Sequence, residues 1–196
     1  MTRWSGADGE GYAARFERLA ARGADVHGEA TLCESLLPLG GRVLDAGCGT
    51  GRVAIRLAER GHECVGVDVD RSMLDVARRR APHLRWVEAD LTELALDESF
   101  DLVVAAGNVV PLVAAGSEPE VVRRLAAHLS DRGLLVAGFG LDPDHLPPGA
   151  GLLDLDDYDS WCAAGGLSLL RRYATWDGEA YEGGGYAVSI HRRPGR

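Results

Sequence analysis

Residues 43–52 read VLDAGCGTGR, and this stretch decides the fold. Val43 and Leu44 are typical of the end of a buried strand, and the residues up to Arg60 follow helical spacing. Glycines stand at alternate positions between them: Gly47, Gly49 and Gly51. Because glycine loses much backbone entropy on folding, three so close together need a reason. The usual reason is a ligand that approaches bare backbone at the positive end of a helix.

The next predicted strand, Cys64–Asp68, ends in a residue that fits the acidic group of a βαβ nucleoside site. A nicotinamide or flavin fingerprint is G-x-G-x-x-G, but Arg52 stands where its third glycine belongs. Asp45, just before the first glycine, would repel a pyrophosphate and attract an ammonium group. These residues therefore favour a ligand with adenosine at one end and a cationic amino acid at the other.

At this point the sequence resembles the class I S-adenosylmethionine-dependent methyltransferases, and most of all their small single-domain type that acts on small molecules. The resemblance runs from about Tyr12 to the C-terminus and is specific through Asp90. It implies an α/β fold with a Rossmann-like, doubly wound, seven-stranded sheet, mostly parallel with an antiparallel C-terminal edge hairpin. It also implies S-adenosylmethionine as cofactor, S-adenosylhomocysteine as product, and methyl transfer as the activity.

The composition excludes several other classes of protein. The chain has 196 residues and a net charge of −9, with arginines scattered along it, so a nucleic-acid partner is not expected. All 21 basic residues are arginine, which excludes a P-loop lysine, a pyridoxal Schiff base and a Tyr-x-x-x-Lys pair. The four cysteines lack metal-like spacing, so we expect reduced thiols and no metal. No signal sequence or membrane span is recognised, which predicts a cytoplasmic protein.

The periodicity predicts one domain, 1–196, in three parts. Residues 1–38 form a helical cover behind a loose leader (1–9), 39–141 a cofactor-binding core, and 142–196 a loop or lid, a helix and a hairpin. The hairpin strands alternate apolar and polar residues, so both are expected to be half-exposed. The predicted helices are a first one around Tyr12–Ala20, then Gly28–Leu37, Arg52–Arg60, Met73–Arg80, Glu118–Leu129 and Tyr158–Ala164. The other predicted strands are Leu84–Glu88, Phe100–Ala106, Gly133–Phe139, Leu167–Trp176 and Tyr186–Arg193.

Candidate cofactor-binding residues follow the strands, because ligands bind beyond the carboxyl ends of parallel strands. Backbone at the glycine turn would contact the methionine portion, with Asp45 accepting from its ammonium group directly or through water. Asp68 would bind the ribose diol, Asp90 the adenine amino group, and Asn108 would face the space between cofactor and substrate. The full set is Tyr12, Asp45, Gly47, Cys48, Gly49, Asp68, Val69, Met73, Ala89, Asp90, Leu91, Ala106, Gly107 and Asn108.

The acceptor and its chemistry are less defined. His27 is a candidate general base, although a lone histidine is more often a cap or a surface group. The segment AGNVVP lacks the [ND]PP[YF] motif of enzymes that methylate adenine in DNA. We expect methyl transfer to an O, N or S atom of a small-molecule acceptor, and a monomer or a homodimer paired through the edge hairpin. The alternative is an S-adenosylmethionine-binding protein with a regulatory or assembly role and no methyl transfer.

Overall fold

The computed structural model describes residues 2–3 and 8–195. Its helices are α1 Gly9–Ala21, α2 Gly28–Leu36, α3 Arg52–Glu59, α4 Arg71–Arg80, α5 Val109–Leu112, α6 Glu118–Ala127 and α7 Leu155–Ala164, with a 3₁₀ turn at Pro143–His145. Its strands are β1 Arg42–Ala46, β2 Glu63–Asp68, β3 Arg85–Glu88, β4 Phe100–Ala105, β5 Leu129–Gly140, β6 Ser168–Tyr173 and β7 Tyr186–Arg192. No helix among the described residues combines the length and apolar character that a membrane span requires.

The strands form one seven-stranded sheet in the order β3-β2-β1-β4-β5-β7-β6. The strands β1 to β5 are parallel to one another, and β7 runs antiparallel to both β5 and β6. The predicted fold, with its antiparallel C-terminal hairpin at one edge, is confirmed. The strand order reverses direction between β1 and β4, where open α/β sheets bind their ligands.

Both faces of the sheet are covered, which explains why β1 and β4 are almost uninterrupted apolar runs. On one face, α2 and α3 pack through Cys33 and Leu57 against Leu102. On the other face, α6 and α7 pack through Leu125 and Tyr158. The central strands are thereby held rigid, and their carboxyl ends become fixed points for side chains that follow them.

The prediction that both hairpin strands are half-exposed is wrong for β7. This strand lies between β5 and β6, and its central residues are buried on both faces, including Ser189 and His191. Each of these two polar side chains has a charged partner: Arg172 Nε donates to Ser189 Oγ at 3.0 Å, and His191 Nε2 lies 3.1 Å from Asp159 Oδ1. The polar residues that alternate along β7 are therefore buried beside charged side chains of β6 and α7 and do not form a solvated face.

The N-terminal leader is also more ordered than predicted in the part that the structure describes. The Arg3 amide donates to the Leu112 carbonyl at 2.8 Å, and the Thr2 hydroxyl donates to the same oxygen at 2.7 Å. These residues lie against α5, a short helix that the sequence analysis did not predict. The strand β5 also begins at Leu129, four residues before the predicted start at Gly133.

Candidate cofactor-binding site

The turn after β1 is built from glycines in a conformation that other residues adopt rarely. Gly47, Gly49 and Gly51 have φ angles of +72°, +54° and +79°. The amides of Gly47 and Cys48 both donate to the Val67 carbonyl, at 2.8 and 3.0 Å, so the turn is fastened to β2. Gly51 then caps α3 in the left-handed conformation. The strand, turn and helix occur as the sequence predicts.

The three glycines serve different purposes. A side chain at Gly47 would meet Val109 Cγ2 at 2.6 Å, and one at Gly51 would meet the Trp86 ring at 2.4 Å. These two positions are glycine because neighbouring side chains fill the space. At Gly49 the nearest atom is Tyr12 Cε1 at 3.9 Å. Gly49 therefore leaves open space on the cavity side, which suits a ligand that approaches the backbone closely.

Asp68, at the end of β2, holds this turn and faces the same cavity. Its Oδ2 accepts from the Gly49 amide at 2.7 Å, and its Oδ1 accepts from the Asp70 amide at 2.8 Å. Burial raises the pKa of this carboxyl group, and the backbone donors act against that effect. Each carboxylate oxygen has two lone pairs, so each can still accept a hydroxyl hydrogen. The geometry therefore leaves Asp68 able to bind a vicinal diol.

Asp90 follows β3 and combines capping with exposure to the cavity. Its Oδ1 accepts from the Thr92 amide at 2.9 Å and from the Thr92 hydroxyl at 2.8 Å. This is the capping role that the sequence left open as an alternative, and Asp90 lines the cavity as well. Capping and ligand binding are therefore compatible at this residue.

One cavity joins these strand ends, with about 760 Å³ of empty space that opens to solvent. It receives the turn after β1, the residues after β2, β3 and β4, and one aromatic side chain from α1. The candidate residues that line it are Tyr12, Gly47, Gly49, Asp68, Val69, Met73, Asp90, Leu91, Ala106 and Gly107. The candidate residues that do not line it are His27, Asp45, Cys48, Ala89 and Asn108.

Asp45 is behind the turn and not on the cavity wall. It is 2% exposed, and its Oδ2 accepts from the Ala54 amide of α3 at 3.0 Å. Burial raises the pKa of this carboxyl group to about 7, against the lowering effects of the Ala54 hydrogen bond and of Arg52. This carboxyl group joins β1 to α3, and the expected contact with an ammonium group, direct or through water, stays a prediction.

Asn108 was expected between cofactor and substrate, and its side chain is used elsewhere. Its Oδ1 accepts from the Gly140 amide at 2.6 Å, and its Nδ2 donates to the His145 carbonyl at 3.3 Å. It has a positive φ of 67°. Asn108 therefore ties the end of β4 to the end of β5 and to the 3₁₀ turn, which fixes the position of Gly107.

Cys48 and Ala89 also contribute from outside the cavity wall. The Cys48 side chain is buried under the turn, with its sulfur about 3.0 Å from where a side chain on Gly66 would begin. Burial raises the pKa of the Cys48 thiol. The Ala89 amide donates to the Asp68 carbonyl at 3.0 Å. Both residues pack or bond against the ends of the strands whose following residues line the cavity.

His27 does not line the cavity, so its role as the general base stays a prediction. It is the N-cap residue of α2, where its side chain makes no capping hydrogen bond and its amide donates to Asp25 Oδ1 at 2.8 Å. Its Nδ1 is buried, with no hydrogen-bond partner in the described part of the chain.

The cover over the cavity is fastened by Arg52, which the sequence analysis used only to exclude a nicotinamide fingerprint. Its guanidinium pairs with Glu29 of α2 and lies 4.6 Å from the ring centre of Phe16 in α1. Phe16 in turn packs on Tyr12, with ring centres 5.1 Å apart. Arg52 thus links the helix after the glycine turn to both helices of the predicted cover.

Five further residues line the cavity and were missed from the sequence: Thr2, Val109, Leu112, Val113 and Ala114. All except Thr2 belong to α5 or the turn after it. The sequence signal was the apolar run that follows β4, in which the segment AGNVVP was compared only with the motif of enzymes that methylate adenine in DNA. Thr2 gave no local signal, because its partner Leu112 is 110 residues away in the chain.

Comparison with known proteins agrees with this geometry. A family model described as a methyltransferase domain matches residues 43–133. The crystal structure of a TehB-like SAM-dependent methyltransferase from Corynebacterium glutamicum is 33% identical in sequence, with a TM-score of 0.84. The match covers 96% of this chain and 98% of that one. The chain belongs to the S-adenosylmethionine-dependent methyltransferases.

Curated relatives of this methyltransferase include a cypemycin N-terminal methyltransferase from Streptomyces sp, 35% identical over 133 residues. Another is a dTDP-3-amino-3,6-dideoxy-alpha-D-glucopyranose N,N-dimethyltransferase from Streptomyces fradiae, 28% identical over 168 residues. The matches cover 66% and 81% of this chain. The chain spans 48% and 62% of the length of these two relatives, which is less than two thirds.

S-adenosylmethionine is the cofactor of the family, and the cavity of this methyltransferase fits it. Gly49 provides the bare backbone and the open space that a closely bound ligand needs. Asp68 provides free lone pairs for hydroxyl groups, and the half-exposed Val69 provides an apolar surface next to it. The small residues Ala106 and Gly107 leave room beside the turn.

Proposed function

We propose that this protein transfers a methyl group from S-adenosylmethionine to an oxygen, nitrogen or sulfur atom of a small molecule. One observation carries the proposal: Gly49, Asp68 and Asp90, which follow three different strands, open onto one cavity that also contains Ala106 and Gly107. The two ligand-facing carboxyl groups and the bare turn would hold an adenosine, and the small residues after β4 would face the reacting end.

The roles of the individual residues follow from what each can donate or accept. The Asp68 carboxylate would accept from the two ribose hydroxyls while it continues to hold the Gly49 amide. Asp90 would accept from the adenine amino group, with Val69 and Met73 along the flat faces of the ring. Asn108 would not contact the ligand but would hold the backbone of Gly107 in place through its hydrogen bond with the Gly140 amide.

The protein would act chiefly by orientation and by exclusion of water. When bound, S-adenosylmethionine supplies a methyl group that is already electrophilic. Holding an acceptor in line with such a group can contribute about 7–11 kcal/mol in favourable cases. Tyr12 of α1 and the Thr2–Arg3 segment would close the cavity from the side that the sheet leaves open. A neutral amine needs no general base, whereas a base would add about 10²–10⁴-fold in rate for a hydroxyl acceptor.

The proposal is tested by binding and by turnover. We expect calorimetry to detect S-adenosylmethionine and S-adenosylhomocysteine binding and no NAD binding. We expect labelled methyl groups to appear on members of a panel of small amines, thiols and phenols. Binding of S-adenosylhomocysteine without transfer to any acceptor would favour the regulatory alternative. Binding of NAD alone would contradict the proposal.

A further inference from the structure

The cavity has an aliphatic end that adenosine recognition does not require. Beyond Ala106 and Gly107, its wall is formed by α5 and the turn that follows, through Val109, Leu112, Val113 and Ala114. Val113 is 8% exposed and the others are partly exposed toward the cavity. The carboxyl groups of Asp68 and Asp90 are on the walls that follow β2 and β3. The wall formed by α5 is therefore apolar in its side chains.

Backbone carbonyl groups beside this wall are already engaged. The Pro111 carbonyl accepts from the Gly151 amide at 2.8 Å and from Arg3 Nη1 at 3.0 Å. The Leu112 carbonyl accepts from the Arg3 amide and from the Thr2 hydroxyl, at 2.8 and 2.7 Å. A carbonyl oxygen has two lone pairs, so two donors saturate each of these groups. A polar acceptor molecule would find these oxygens occupied.

The charges near this wall are paired with each other. Arg3 Nη1 lies 3.1 Å from Glu118 Oε1, and the Glu118 side chain is largely buried. Arg3 Nη1 also donates to the Pro111 carbonyl. This nitrogen is therefore already bound within the protein. Moving a charged group into such an apolar environment without a partner costs several kcal/mol. An anionic acceptor would also approach the carboxyl groups of Asp68 and Asp90.

We infer that the acceptor is a small, uncharged molecule with an apolar body that packs against Val109, Leu112, Val113 and Ala114. The inference rests on the proposed function and specifies the substrate class of that site. The lone pair of the acceptor atom forms the bond to the methyl carbon while the carbon–sulfur bond of the sulfonium breaks. That bonding pair stays on the sulfur, and the acceptor proton leaves to water.

The test uses matched pairs of aromatic molecules that differ in one carboxylate: benzyl mercaptan against 4-(mercaptomethyl)benzoate, aniline against 4-aminobenzoate, and phenol against 4-hydroxybenzoate. Binding of each to the S-adenosylhomocysteine complex is measured by calorimetry, and methyl transfer is measured with S-adenosylmethionine. We expect at least one uncharged member to bind, and to do so on the order of tenfold or more tightly than its carboxylate partner. Equal or tighter binding of the carboxylates would overturn the inference, and so would the absence of binding by every uncharged member.

A substitution separates the acceptor wall from the cofactor site. Ala114→Arg would place a cation at the edge of the aliphatic wall, so we expect the preference to shift toward the carboxylate partner by about tenfold or more. The neighbouring Ala115 is exposed and does not line the cavity, so Ala115→Arg is the matched control and should leave the preference unchanged. Both variants should keep the affinity for S-adenosylhomocysteine.

These measurements separate a failure of the proposed function from a failure of the acceptor assignment. If the wild-type protein does not bind S-adenosylhomocysteine, the proposed function fails. If it binds S-adenosylhomocysteine and Ala114→Arg weakens that binding while acceptor preference is unchanged, the wall contacts the cofactor and the inference about the acceptor is wrong. If the preference shifts at constant cofactor affinity, the assignment of this wall to the acceptor is supported.

Discussion

Asp68 serves both the architecture of the glycine turn and the cavity. Its two oxygens hold the amides of Gly49 and Asp70, so the same carboxylate that would bind a ribose also positions the backbone beside it. The sequence predicted the ligand role from the strand end. It could not predict the contact with Gly49, because that contact depends on how β1 and β2 are placed side by side.

We expect Asp68→Ala to weaken S-adenosylhomocysteine binding at least a hundredfold. Two hydrogen bonds to a charged acceptor are worth about 1.5–3 kcal/mol each, and the turn loses its partner as well. Calorimetry measures the affinity, and circular dichroism checks that the chain is folded. Asp75→Ala on the exposed face of α4, where Asp75 pairs with Arg78, is the control and should bind normally. Normal affinity of Asp68→Ala for S-adenosylhomocysteine would show that Asp68 does not bind the cofactor.

Asp45 predicts an unusual pH dependence of stability. Its pKa is raised by burial from 3.8 to about 7 in the folded protein. The folded state therefore holds a proton more tightly than the unfolded state, and stability from this group is present at low pH and lost as the pH rises through about 7. We expect the free energy of unfolding of the wild type to fall, relative to Asp45→Asn, between pH 5 and pH 7.5.

Asp45→Asn is a suitable comparison because an amide oxygen can still accept from the Ala54 amide. The difference should reach about 2–3 kcal/mol over that interval, since one pKa unit corresponds to about 1.4 kcal/mol. Urea titrations at a series of pH values measure it. A difference between the two proteins that stays constant with pH would show that Asp45 does not titrate in this range.

At the scale of elements, the cover depends on contacts between helices that are distant in sequence. Arg52 begins α3, pairs with Glu29 in α2 and lies over Phe16 in α1. The sequence predicted helices at these places from apolar spacing and from capping residues. It did not predict that Arg52 joins the three helices, because the local pattern GTGR does not specify which residues the Arg52 side chain contacts.

We expect Arg52→Ala to speed the release of S-adenosylhomocysteine by about tenfold with a smaller effect on folding. Loss of the guanidinium removes the pair with Glu29 and the contact with Phe16, so Tyr12 is held less firmly over the cavity. Stopped-flow fluorescence measures the dissociation rate. Arg56→Ala, which removes an exposed pair with Glu59 in the same helix, should leave the rate unchanged. Equal dissociation rates for the wild type and Arg52→Ala would show that the contacts of Arg52 with the two N-terminal helices do not slow ligand release.

The reversed strand β7 is the second element whose surroundings the sequence did not reveal. Asp159 Oδ1 lies 2.5 Å from Arg172 Nη2 and 3.1 Å from His191 Nε2, so one carboxylate of α7 contacts polar side chains of both β6 and β7. Burial lowers the pKa of His191. Polar residues that alternate along a strand usually indicate a solvated face. Here they are buried, because α7 brings their partners.

We expect Asp159→Ala to lower the free energy of unfolding by about 1–3 kcal/mol, because it leaves Arg172 and His191 with unmatched polar groups in a partly buried site. Asp157→Ala, at an exposed position in the same helix, is the control and should cost about 0.5 kcal/mol or less. Urea denaturation measures both. If the two variants lose equal stability, the contact with β7 contributes nothing measurable.

For the whole molecule, the sequence predicted the sheet and the strand-end residues better than it predicted the walls between them. The β1–turn–α3 unit is encoded within ten residues, so its pattern is readable without the rest of the chain. The Arg3 contacts with Pro111 and Glu118 join residues more than a hundred positions apart. Such contacts follow from the assembled fold, and no local pattern specifies them. The individual residues of α5 that line the cavity were missed for this reason.

The central claim is that the Gly49 turn, Asp68 and Asp90 hold one adenosine. A crystal structure of the S-adenosylhomocysteine complex tests it most directly. We expect the two ribose hydroxyls within hydrogen-bond distance of Asp68, the adenine beside Asp90 and Leu91, and the sulfur next to Ala106 and Gly107. A ligand bound outside this cavity, or an adenosine that contacts neither carboxyl group, would contradict the account.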